Sequence, residues 1–182
     1  NPFSFKTVFN AQALQESTDL KIVGATVHEA IHAVLLHFFY TGGLTITPAN
    51  ADPSYKKLVE AFVLKRKEIG NSNLSQHAYM AELKDLISDV IYLWATTKSD
   101  YTDAQFSEYD SNPNDSIDDG LKEYCKKLAW AGLITTTTFD QLYPDTFPEN
   151  PYREEIESII EQETLSGSQA KGTKASTINC ND

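Results

Sequence analysis

Apolar residues recur at three- and four-residue spacing over most of this chain, the period of helices with one buried face. Ile22, Val23, Val27, Ile31, Val34, Leu35 and Phe38 trace the first such face and predict a helix from about Leu20 to Phe39. Ser17, Thr18 and Asp19 stand before it as N-caps, and Gly42 and Gly43 end it. Leu58, Val59, Phe62 and Val63 predict a second helix over about Tyr55 to Ile69, with Lys65 to Glu68 as its solvated face. Met80, Leu83, Leu86, Ile87, Val90, Ile91 and Trp94 predict a third from about Gln76 to Ala95. Two more are expected: about Ile117 to Ala131 behind the cap Ser116, and about Tyr152 to Glu163 after the breakers Pro144, Pro148 and Pro151.

A period of two appears once. Phe5, Thr7 and Phe9 alternate with Lys6, Val8 and Asn10, which predicts a strand from Ser4 to Ala13. Leu133 to Thr138, rich in threonine, reads as a short strand or an extended segment. Leu44 to Pro53 and Asp100 to Asp119 read as loops. Asp110, Asn112, Asn114 and Asp115 are residue types of a calcium loop, but the glycine and closing glutamate of an EF-hand are missing, so a solvated loop is expected. The expected fold class is α+β, mostly helical, with a small N-terminal β element. A single domain over 1–163 is followed by a polar tail over 164–182.

Composition narrows the function. A chain of 182 residues with 41% hydrophobic content can bury the core of one domain. A net charge of -11 argues against nucleic acid or an anionic membrane as partner. No run of apolar residues is long enough to span a bilayer. Cys125 and Cys180 lack metal-type spacing; they either form one disulfide that ties down the tail or stand as free thiols. The chain opens at Asn1 without a basic-then-apolar leader, and a secreted, periplasmic or cell-surface protein is expected.

One stretch implies a reaction. His28-Glu29-Ala30-Ile31-His32 places two imidazoles at i and i+4 on one face of the first long helix. Both can ligate one metal ion, and Zn²⁺ suits imidazole donors with a position left open. Glu29 lies about 100° round the helix, placed to act as general base on a metal-activated water rather than as a ligand. The chain has only four histidines, and chance produces the pattern in roughly one such chain per hundred. Burying two histidines and a glutamate on an apolar helix is costly unless something pairs them.

The third ligand is open at this point. Position 35 is Leu and position 38 is Phe, which excludes the metzincin continuation. His37 lies about 140° round from His32 and faces away from the pair. Glu60, Glu68, His77 and Glu82 remain, on the following helices.

Beyond the motif, the chain resembles a family of zinc metallopeptidases from Bacteroidetes related to the SprT-like zincins. The matching pieces are Val8-Phe9-Asn10, Thr26 to Ala33, His77-Ala78-Tyr79-Met80-Ala81 and Leu128-Ala129-Trp130-Ala131-Gly132-Leu133, in that order. The resemblance implies a zincin-like fold with His28, His32 and His77 as the zinc ligands and Glu29 as the catalytic base. Glu82 and then Glu60 stand next in line for the third position. It implies a peptide or protein substrate, which the N-terminal strand would pair with along its edge. Two other classes are compatible with the same residues: a zinc-binding or peptide-binding module without turnover, and a structural zinc domain, which requires four protein ligands.

Overall fold

The computed structural model describes residues 6–41, 76–98, 101–111, 119–146 and 148–174. The expected helix over 55–69, the loop over 44–53, the positions Asn112, Asn114 and Asp115, and Cys180 lie outside them. Among the described residues the protein is helical: α1 is Ala11–Glu16, α2 Asp19–Tyr40, α3 Gln76–Lys98, α4 Gly120–Leu128, α5 Thr137–Leu142 and α6 Pro151–Leu165, with a 3-10 helix at Asp103–Tyr109. No strand occurs among them, and the β contact found is one isolated antiparallel bridge between Thr18 and Lys174. No described helix is long and apolar enough to cross a membrane.

Two expected β segments are therefore corrected. Residues 6–10 are irregular and exposed, and 11–16 are helix rather than strand. Val8 is 75% exposed, so the alternating stretch finds no buried face. Asn10 accepts hydrogen bonds from the Gln12 and Ala13 amides, and its cap starts a run of good helix formers. Leu133 to Thr138 fails as a strand for the same kind of reason. Thr136 caps α5 by accepting from the Phe139 amide while donating to the Leu133 carbonyl, so local capping prevails over strand propensity.

α3 packs against α2 on one side and α4 on the other, and α4 also meets the 3-10 helix and α6. Leu20 and Leu35 of α2, Ile87 and Ile91 of α3, Leu121 and Leu128 of α4, and Phe139 of α5 are almost fully buried in one core. Each such side chain contributes about 1.5–3 kcal/mol. The 3-10 helix occupies part of the expected loop over 100–119; its Phe106 is buried and stacks on Tyr124 with ring centroids 5.0 Å apart. α4 ends at Leu128, and tight turns continue to Thr136.

The C-terminal segment is not a free tail as far as Lys174. Glu163, fully buried on α6, accepts hydrogen bonds from the Thr18 and Tyr124 hydroxyls and from the Lys171 and Gly172 amides. Asp19 accepts from the Leu20 amide, the Tyr101 hydroxyl (2.5 Å) and the Thr173 amide (2.9 Å). The Asp19 amide in turn donates to the Thr173 carbonyl. Residues 171–174 are thus fastened to the first turn of α2 through two buried carboxylates, in keeping with the rule that buried polar groups are satisfied. Cys125 carries a free thiol buried in the core, and Cys180, its candidate disulfide partner, lies outside the described residues.

Candidate metal centre

The candidate site is built on the middle of α2, which the knot just described holds at its start. His28 and His32 share one face of this helix, as their spacing requires. Both are half-buried, and His28 Nδ1 and His32 Nε2 are shut off from solvent. Glu29 keeps 42% of its side chain exposed, and its Oε2 lies 3.6 Å from His32 Nδ1, longer than a hydrogen bond. His37 is exposed.

Burial, with smaller contributions from its neighbours, pushes the His28 imidazole down to about 4. Glu29 opposes that shift, while His32 and Lys21 add to it. His28 is therefore neutral through the physiological range, which is the form a metal ion requires of an imidazole.

The wall against His28 comes from the turn after α4. Gly132 has φ +82°, a left-handed conformation, and a Cβ built on it would stand 2.5 Å from His28 Cε1 and 2.7 Å from Nδ1. The turn is rigid. Ala131 N donates to Leu128 O, Leu133 N to Trp130 O at 2.7 Å, and Thr136 N to Leu133 O. Trp130 is buried and its ring packs against those of Phe139 and, edge-on, Tyr143. Two of the stretches behind the family resemblance, Thr26 to Ala33 and Leu128 to Leu133, thus meet in space at His28 and Gly132.

α3 presents a different picture. Ile91 packs on Gly24, and Val90, Leu86 and Leu83 line an apolar groove of about 380 Å³ with Val27, Ala30, Ile31, Val34 and Leu35. The two helices therefore run antiparallel. The groove face of α2 and the histidine face are about 100° apart, and His28 lies against Gly132 rather than in the groove. The side chains of His77 and Glu82, and all of Glu60 and Glu68, lie outside the described residues.

Two imidazoles on one helix face, one of them held neutral, fit the first two ligands of a zinc ion. Among the described residues no third histidine, cysteine, aspartate or glutamate joins them. The sequence marks the pair and Glu29, whereas Gly132 enters there only within the stretch Leu128 to Leu133. Its φ and its contact with His28 depend on chain segments a hundred residues apart, for which the sequence carries no local signal.

The chain matches no protein-family model, and no curated protein or solved structure is significantly similar to it. The resemblance to SprT-like zincins therefore rests on the quoted residues alone.

Proposed function

We propose that this protein is a zinc-dependent hydrolase of peptide bonds, with His28 and His32 as two of the metal ligands and Glu29 as the general base. The observation that carries the reading is the i, i+4 histidine pair flanking an exposed carboxylate, with His28 kept neutral by burial. Zinc, when bound, would supply polarisation of a scissile carbonyl and acidification of water. The chain's own residues do the rest. His28 and His32 present nitrogen from a helix anchored at its first turn. Glu29, at the solvent-facing edge of the pair, takes a proton from the attacking water and returns it to the leaving amine.

The third ligand is His77, Glu82 or Glu60. The family resemblance supports His77, with Glu82 and then Glu60 next in line. Metal content of His77→Ala, Glu82→Ala and Glu60→Ala separates them, and a sharp loss of zinc is expected in His77→Ala. The hydrolase reading is tested with mixed peptides and denatured protein, with and without chelator. Cleavage that chelator and Glu29→Gln both abolish is expected. Zinc bound without any cleavage leaves the binding module, and four protein atoms on the metal leave a structural zinc domain.

A further inference from the structure

We infer that Gly132 is a positioning residue for His28: the missing side chain leaves the space that the nitrogen-bearing edge of the imidazole occupies. The inference rests on the zinc reading for its purpose, but its geometry stands apart from it. A Cβ at this position would come within 2.5 Å of Cε1, 2.7 Å of Nδ1 and 3.3 Å of Nε2, so it would meet the three atoms that make up the ligating edge of the ring. Contacts this close force either the ring or the turn to move. The turn resists. Leu133 and Trp130 are buried, three backbone hydrogen bonds brace Leu128 to Thr136, and the Trp130, Phe139 and Tyr143 rings lock it from behind. His28 is only half-buried and turns about single bonds, so it is the part that gives way. A side chain at 132 therefore misaligns a ligand without touching the metal, an effect of the kind that residues orienting metal-bound histidines exert.

The competing explanation is that glycine is needed only for φ +82°. A double-mutant comparison separates the two, because backbone strain is the same whether or not the imidazole is present. Gly132→Ala is made in the parent and in His28→Ala, and the Tm of each metal-free protein is measured. The loss on Gly132→Ala is expected to be smaller in the His28→Ala background by about 4 °C or more. Gly132→Asn, which tolerates positive φ better but still carries a Cβ, is expected to weaken zinc binding about 10- to 100-fold in a competition titration with a chromophoric chelator. A Gly132→Ala chain that folds only without the imidazole is the same result in its strongest form. Equal Tm losses in both backgrounds, a chain that folds in neither, or a Gly132→Asn protein that holds zinc as tightly as the parent overturns the inference. A parent that takes no zinc overturns the hydrolase reading instead, and leaves the Tm comparison to decide the role of Gly132.

Discussion

Two groups of polar residues lie along α2, one completed by Glu163 of α6, and they are treated in opposite ways. At its first turn, Asp19 and Glu163 are enclosed by donors: three reach Asp19 and four reach Glu163, drawn from α2, α4, Tyr101 and the segment 171–174. Three turns further on, His28 is packed against a glycine, and Glu29 beside it points its carboxylate at solvent. The first group spends its hydrogen-bonding capacity inside the protein, so it fastens chain segments and has little left to offer a ligand. The second keeps a neutral imidazole and an exposed carboxylate side by side, the combination a metal-assisted reaction needs. Buried charge alone does not mark a site; the first group is enclosed by the donors that fasten the fold, whereas Glu29 in the second reaches solvent.

That contrast predicts where stability and where chemistry reside. The largest effect on stability is expected at Glu163. Glu163→Ala leaves two hydroxyls and two amides without their acceptor and should cost about 3–5 kcal/mol, read from urea midpoints. A loss below about 1 kcal/mol would mean that the knot does not hold the C-terminal segment.

Alkali should loosen the knot next. Burial, then the neighbouring carboxylate, raises both Tyr101 and Tyr124 above the ordinary tyrosine value of 10. Burial also pushes Cys125 up to about 12. The folded protein keeps protons that the unfolded chain releases near pH 9 to 10, so this stability is complete below that range and is lost as pH rises towards 12. Urea midpoints should fall steadily from pH 9 upwards, and Tyr101→Phe should make the slope shallower. A flat profile to pH 11 would contradict the hydroxyl-to-carboxylate bonds. At neutral pH the same Tyr101→Phe change should cost about 1–2 kcal/mol by removing one donor from Asp19.

At the other region the smallest change in stability is expected. Glu29→Gln alters a solvent-reaching side chain and should stay within about 0.5 kcal/mol of the parent. Turnover should fall about 10²- to 10⁴-fold, as loss of a general base predicts. A destabilisation comparable to that of Glu163→Ala would erase the distinction between the two regions.

Much of this was legible from the chain alone where it depends on neighbours in sequence. The face running from Ile22 to Leu35 marks α2, Asn150 and Pro151 start α6 close to its expected position, and the His28, Glu29, His32 spacing marks the candidate site. What was not legible depends on distant partners. Phe5 to Phe9 alternates like a strand, but a strand needs a neighbour to pair with, and residues 6–10 lie exposed instead. Glu163 is one acid among five on α6, and nothing near it foretells that Thr18 and Tyr124 will close over it.

The central claim is that the pair on α2 holds a metal ion. Zinc per chain, measured by elemental analysis on protein purified without chelator, tests it directly in the parent and in His28→Ala/His32→Ala. About one zinc in the parent and none in the double variant, with both folded, is the predicted result. A parent that takes up no zinc even after incubation with the metal, or a double variant that keeps it, would contradict the account.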